Sequence, residues 1–192
     1  MRAERVFYSA VPAEREVLDP VGYRFGEIGI GDLSKGDIFQ ERDRPKLFPL
    51  RMQRGHRCFV WTDTTGTIVG YLWLTNAQDL RAPWVFNLVL GLLPGQAYVW
   101  DCRIAVSHSG RGLYTAGLIH LLKQASELDI RAVLIDSDPN NRASIRAIQK
   151  AGFKRVTDVQ VRRAGPVHLI RQRDRWHISK RYVECDEKMG IR

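Results

Sequence analysis

The residues best able to do chemistry crowd into one stretch, Trp100-Asp101-Cys102-Arg103-Ile104-Ala105-Val106-Ser107-His108-Ser109-Gly110-Arg111-Gly112. A strand that runs through Ser109-Gly110-Arg111-Gly112 into a helix leaves backbone N–H groups unpaired at the helix start. The macrodipole is positive there and glycine admits close approach, so such a turn can cradle a phosphate. A tight strand-to-helix turn without a ligand is the alternative. The dinucleotide spacing Gly-x-Gly-x-x-Gly fails because Thr115 holds the third position, and Gly-x-x-x-x-Gly-Lys is absent. Asp101 is the only carboxylate on the strand and a candidate proton acceptor, with an ion pair to Arg103 as its plainer role. Alternation sends Trp100 and Asp101 to opposite faces. Cys102 is a candidate nucleophile, although no His/Asp pattern accompanies it and a small buried strand residue is the competing reading. His108, in the turn, is read as a contact to solvent or phosphate.

These residues need a strand, a turn and a helix to place them. Ala97 to Ile104 is strand-like, and Leu113, Ala116, Leu118, Ile119, Leu122 and Ala125 make the following helix apolar. Ala132-Val133-Leu134-Ile135 is a short apolar strand, which closes a βαβ crossover and requires parallel pairing. Upstream, Tyr23 to Ile28 is a strand, and Gly31 to Ser34 offers the start of a brief helix. Leu47 and Leu50 suggest a second helix closed by Arg54-Gly55, although Pro49 lies inside it. Cys58 to Trp61 and Ile68 to Leu74 form a hairpin around Asp63-Thr64-Thr65-Gly66. Downstream, Ala143 to Ala151 is a helix stopped by Gly152, and Phe153 to Val161 with Val167 to Arg171 is a further hairpin. The segment from Asn76 to Gln96 is read as a long apolar connection. The expected architecture is a single α/β domain with a mixed central sheet. Residues 21–177 form its body, residues 1–20 a loosely attached extension, and residues 178–192 a tail.

The chain has 192 residues, 44% of them hydrophobic and 27% charged, enough for one self-sufficient core and unlike collagen, coiled coil or a disordered chain. Its three cysteines, Cys58, Cys102 and Cys185, form no Cys-x-x-Cys pair, so neither a disulfide framework nor a metal site is expected and a reducing cytoplasm is. The longest apolar run, about Pro83 to Pro94, is broken by Asn87 and Gly91 and too short for a bilayer, so no membrane partner is expected. The net charge of +9 is uneven: residues 151–192 carry 11 Lys/Arg against 5 Asp/Glu, while residues 1–50 carry 8 against 9. An anionic partner is implied, and nucleic acid, acidic lipid and a polyphosphate all qualify. The run from Arg171 to Arg181 interleaves basic residues with Trp176 and His177, as a nucleic-acid surface does, or as a solvated surface or terminal helix does.

The stretch Trp100 to Leu118 resembles motif A of the GNAT superfamily of acyl-CoA-dependent N-acetyltransferases, whose helix opens with Gln/Arg-x-x-Gly-x-Gly/Ala. Asn141-Arg142-Ala143-Ser144 to Gly152-Phe153 resembles that superfamily's second coenzyme motif. Phe59 to Tyr71 is similar to its preceding hairpin. The three blocks cover roughly Cys58 to Val156. The sequence departs from the pattern at Ser109, where Gln or Arg is usual, and at Tyr114, where Gly or Ala is usual. At Ile148 many members carry a tyrosine that protonates the departing thiolate.

The resemblance implies a parallel strand pair that splays apart to admit acetyl-CoA as co-substrate, flanked by helices. Backbone at Cys102, Ile104 and Val106 would meet the thioester and pantetheine. The turn Ser109, Gly110, Arg111, Gly112, Leu113, Tyr114 would meet the phosphates, and Asn141 and Ser144 the coenzyme arm. An N-cap role for the last two is an alternative that can hold at the same time. The reaction implied is direct attack of a small-molecule primary amine, such as an amino sugar, amino acid or biosynthetic intermediate. Asp101 or Cys102 are the catalytic candidates, and Tyr71, Trp73 and Trp100 the acceptor-site candidates, with Trp84 a further wall residue. Core packing is the competing role for these aromatics. A homodimer is suggested by family habit alone and nucleic acid is not the expected partner. Two other outcomes stay open: an anionic-surface binding module, and a coenzyme-binding member without turnover.

Overall fold

The computed structural model describes residues 2–13, 16–39, 44–77, 79–82, 88–164, 167–172, 175–178 and 181–184. Nine strands form the main sheet in the order β11-β10-β9-β1-β8-β7-β4-β3-β2. These are β1 (Arg2–Ala10), β2 (Tyr23–Ile28), β3 (Arg57–Asp63), β4 (Ile68–Thr75), β7 (Gln96–Ile104), β8 (Ala132–Ser137), β9 (Lys154–Ala164), β10 (Val167–Gln172) and β11 (Arg175–Ile178). Within this sheet β7 and β8 are the parallel pair and every other pairing is antiparallel. The helices are α1 (Arg44–Gln53), α2 (Leu113–Ser126) and α3 (Arg142–Lys150). The mixed α/β sheet expected from the sequence is the observed one, with predicted elements matched to within a few residues.

Each face of the sheet buries its own core. One contains Phe48, Tyr71, Trp73, Tyr98 and Trp100, the other Trp61, Leu72, Val99, Leu118, Leu121 and Ile148. Phe48 of α1 packs edge-on against Tyr71 and Trp73, with ring centroids 5.2 and 4.9 Å away. Gly117 lets α2 lie close on the strands, since a Cβ there would stand 3.0 Å from Trp61 Nε1 and 3.1 Å from Leu72 Cδ1.

The domain boundaries need correction at both ends. Residues 2–10 are not a loose extension: β1 sits between β8 and β9, with Val6, Phe7, Tyr8 and Ala10 buried. The β-forming run Val6-Phe7-Tyr8 covers both faces of the sheet there, as an interior strand must. At the other end, Ile178 belongs to β11, so the proposed boundary cuts a strand, and β12 (Arg181–Glu184) pairs in parallel with β6 (Leu88–Gly91). Among the described residues the basic C-terminal run forms strands rather than a terminal helix. The expected loop 76–96 contains β6 and β5 (Asp79–Ala82), which pair antiparallel. Trp84 and Cys185 lie outside the described residues. The brief helix at Gly31 is a 3-10 segment, Ile30–Lys35.

Candidate active site

The site begins where a ladder stops. β7 and β8 pair from Gln96↔Ala132 to Val99↔Ile135, and beyond that point the strands part. Two cavities of about 410 and 420 Å³ occupy the opening and share Cys102, Tyr114, Asn141 and Ser144. The first is walled by Trp100 and Asp101 of β7 and by Asp136 and Ser137 of β8. The second runs along Ile104 to the glycine turn and α2.

A β-bulge shapes the first cavity. Tyr71 pairs with Arg103 and Trp73 with Trp100, so Asp101 and Cys102 together oppose Leu72 alone. Asp101 takes φ +42, in the left-handed region, which aspartate tolerates better than most residues. Alternation from Trp100 to Asp101 is thereby broken. Both side chains meet Arg51 of α1, which ion-pairs with Asp101 and lays its guanidinium 4.3 Å from the centroid of Trp100. It also lies 5.3 Å from Trp73 and 5.0 Å from Phe48. The Tyr71 hydroxyl donates to Asp101 Oδ1 at 3.3 Å. Burial first, and the Asp101 charge second, push that phenol up and keep it a donor. The expected ion pair of Asp101 with Arg103 is thus replaced by one with Arg51. Beside Trp100, His56 Nδ1 lies 2.8 Å from Thr75 Oγ1; burial, Arg51 and Arg54 lower its pKa.

A matching cluster faces it from β8. Asp136 pairs with Arg5 of β1 and accepts the Tyr98 hydroxyl. Arg5, Arg51 and Asp136 are site residues the sequence reading missed. Arg5 was hidden by treating β1 as an extension, although the Val6-Phe7-Tyr8 run beside it was a strand signal.

The other candidates divide. Cys102 walls both cavities, but burial first and Asp101 second push its thiol up, and the thiol points to the Trp100 carbonyl at 3.5 Å. A nucleophilic role needs a thiolate, which this environment opposes, so Cys102 is a wall residue. Tyr71 and Trp73 are wholly buried and line neither cavity; they brace Asp101 and Arg51 from behind, while Trp100 alone of the three forms a wall.

Ile104, Ser109, Gly110, Gly112, Leu113 and Tyr114 line the second cavity, together with His108. Val106 does not, being 87% exposed, and Arg111 is turned aside to donate to the Tyr23 hydroxyl at 2.8 Å. The turn uses glycine where it must: Gly110 and Gly112 take φ +77 and +79. Asn141 caps α3 by accepting the Ser144 N–H at 3.1 Å, so the capping role holds while both residues also face the cleft.

Among the described residues no helix is long and apolar enough to cross a membrane, and no group of three or more His, Cys, Asp or Glu is placed to hold a metal ion.

Comparison with known proteins gives a consistent result. The chain is similar to a GCN5-related N-acetyltransferase from Sphaerobacter thermophilus, with 13% identity and TM-score 0.60 over 90% of this chain and 52% of that one. It is similar to an acetyltransferase from the GNAT family from Colwellia psychrerythraea, with 16% identity and TM-score 0.58 over 93% and 57%. It is also similar to the ribosomal-protein-S5-alanine acetyltransferase from Vibrio fischeri, with 13% identity and TM-score 0.54 over 73% and 84%. The chain spans about half the length of the first two of these. No curated protein matches it significantly. At these identities the structures speak for the fold alone, but the profile of the acetyltransferase (GNAT) family matches residues 30–153, well over half the sequence and all of the glycine turn and the α3 motif. The chain belongs to the GNAT acetyltransferase family.

Proposed function

We propose that the protein transfers an acyl group, acetyl in the simplest case, from acyl-coenzyme A to the primary amine of a small molecule such as an amino sugar, amino acid or biosynthetic intermediate. The observation that carries this reading is the opening between β7 and β8, which joins a polar cavity at Asp101 to a cavity ending at the glycine turn.

The donors present fit a coenzyme. The first helical bond of α2 is Ala116 N–H to Gly112 C=O at 3.0 Å, so the N–H groups of Leu113, Tyr114 and Thr115 precede it, and Gly112 provides no capping side chain. Those amides suit a pyrophosphate. The parted edge of β7 suits the amides of pantetheine, and Ser144 and the Asn141 amide face the same arm. When bound, the coenzyme supplies the thioester to be attacked.

In the first cavity Asp101 accepts the proton that the attacking nitrogen loses, directly or through one water. Arg51 and Tyr71 hold that carboxylate in place. Backbone N–H groups of the parted β7 edge stabilise charge developing on the carbonyl oxygen. Trp100 excludes water on one side of the acceptor.

Thermal unfolding with and without acetyl-CoA tests the binding step. At about 100 times the dissociation constant the ligand adds about 2.7 kcal/mol, which is roughly 5 to 10 °C for a chain of this size. Free-thiol release across a panel of amines then tests transfer. A shift that inorganic polyphosphate reproduces and salt abolishes would overturn the reading in favour of a basic binding surface. Binding without thiol release from any amine would make the protein a non-catalytic member.

A further inference from the structure

Transfer leaves a thiolate, and the proton that the amine nitrogen loses has to reach that sulfur. The position where many relatives hold a tyrosine for this purpose is Ile148, which is fully buried in the core. The sulfur must lie where the two cavities meet, because the coenzyme arm fills one and the acceptor the other. Four residues face that junction: Cys102, Tyr114, Asn141 and Ser144. Cys102 directs its thiol at the Trp100 carbonyl and Asn141 spends its amide oxygen on the α3 cap. The Tyr71 and Tyr98 phenols are committed to Asp101 and Asp136. His108 stands at the far, glycine-turn end, with Nδ1 2.9 Å from the Tyr23 hydroxyl.

Resting on the proposed transfer reaction, we infer that Tyr114, from the first turn of α2, is the catalytic acid that protonates the departing sulfur, in place of a tyrosine on α3. Its hydroxyl lies 3.5 Å from Ser144 Oγ, on the α3 face that borders the cleft. Burial, with Cys102 beside it, pushes the phenol above its ordinary value, so it remains protonated through the neutral range. The step balances. The amine nitrogen bonds to the acyl carbon, the carbon–sulfur bond breaks with its electron pair on sulfur, and Tyr114 Oη passes its proton to that sulfur. The proton lost by nitrogen, taken up at Asp101, returns to the phenolate through solvent in the cleft, so the protein ends unchanged. A tyrosine at a position where glycine or alanine is usual thereby acquires a function.

The test needs no knowledge of the acceptor. Coenzyme A itself is bound to the wild type, to Tyr114→Phe and to a form carrying 3-fluorotyrosine at 114, and the ionisation of its thiol is followed by the ultraviolet absorption of the thiolate. A phenol that donates to sulfur stabilises the thiolate. Loss of the hydroxyl should raise the bound thiol's pKa by about one unit, a tenfold change in its ionisation constant. The more acidic fluorinated phenol should lower it. With a competent amine, Y114F should lose about 100-fold in kcat with KM for acetyl-CoA within twofold. Unchanged thiol ionisation in both variants, or a defect confined to KM, would overturn the assignment while leaving the transfer reaction intact. Failure of the wild type to bind coenzyme A would overturn the transfer reaction and this inference with it. The fluorinated form preserves the ring's shape and carries the test if Y114F does not fold.

Discussion

Asp101 and Asp136 wall the same cavity at the split in the sheet, and each is held by one arginine and one tyrosine: Arg51 of α1 and Tyr71 of β4 hold Asp101, while Arg5 of β1 and Tyr98 of β7 hold Asp136. Their settings differ. The Asp101 side chain is 31% exposed and sits on a bulge at φ +42, whereas that of Asp136 is 4% exposed and lies on a regular strand opposite Phe7. Identical partners therefore serve unlike ends. An accessible clamped carboxylate can exchange a proton with a substrate, while a buried one mainly fixes the strands that carry it. The bulge makes the difference, because it swings Asp101 toward α1 and the cavity mouth without dissolving the β4–β7 pairing.

The comparison is broken most directly by neutralising each carboxylate. Asp101→Asn, which tolerates the left-handed backbone, is expected to cost 100-fold or more in kcat with a melting temperature near that of the wild type. Asp136→Asn is expected to do the reverse. It removes the charge of a buried carboxylate that pairs with Arg5 and should cost about 3 kcal/mol, near 10 °C in melting temperature, with kcat of the folded fraction largely kept. If D136N abolishes turnover while D101N retains it, the two roles are exchanged. The double variant R5M/D136L, which removes the buried pair altogether, should recover much of the stability lost by D136N alone; denaturant titration of all three measures the coupling.

Strain gives a smaller effect. Asp101→Val places a β-branched residue at positive φ and is expected to destabilise by about 1–2 kcal/mol beyond D101N, read as a shift in denaturant midpoint. The smallest effect is a pH dependence. His56 is lowered in the fold by burial and by Arg51 and Arg54, so the unfolded chain takes up the proton first as pH falls. Stability is accordingly full above about pH 6.5 and declines below it toward the depressed folded value, and His56→Gln should flatten that part of the melting-temperature profile.

Local signals made the centre of this fold legible. The apolar run of β8, the glycine turn and the Asn141–Ser144 cap each write their structure in adjacent residues, and together they place the second cavity. The Asp101 end of the cleft was not legible in the same way. A bulge depends on how many residues the facing strand offers, and nothing in Trp100-Asp101-Cys102 records that Leu72 stands alone opposite two of them. Arg51 and Arg5 reach the cleft from a helix with Pro49 inside it and from a strand read as an extension, so their pairing with Asp101 and Asp136 is a product of topology. Tyr71 and Trp73 show the converse, since composition alone does not separate an aromatic that walls a pocket from one that supports the wall.

The place of β1 also has a kinetic meaning. Arg2 pairs with Arg162 and Val6 with Ser137, so the strand is held by partners from the far side of the sequence. Closing such loops is entropically costly and slow, and during synthesis β1 must wait for residues 132–137 before one edge is satisfied and for residues 154–164 before the other is. Until then Val6, Phe7 and Tyr8 form an unpaired apolar edge, open to capture by a chaperone or by another nascent chain. Because Arg5 travels with that strand, the polar wall of the cleft is assembled only in this late event, and a partly folded chain would present the glycine turn before the first cavity was complete.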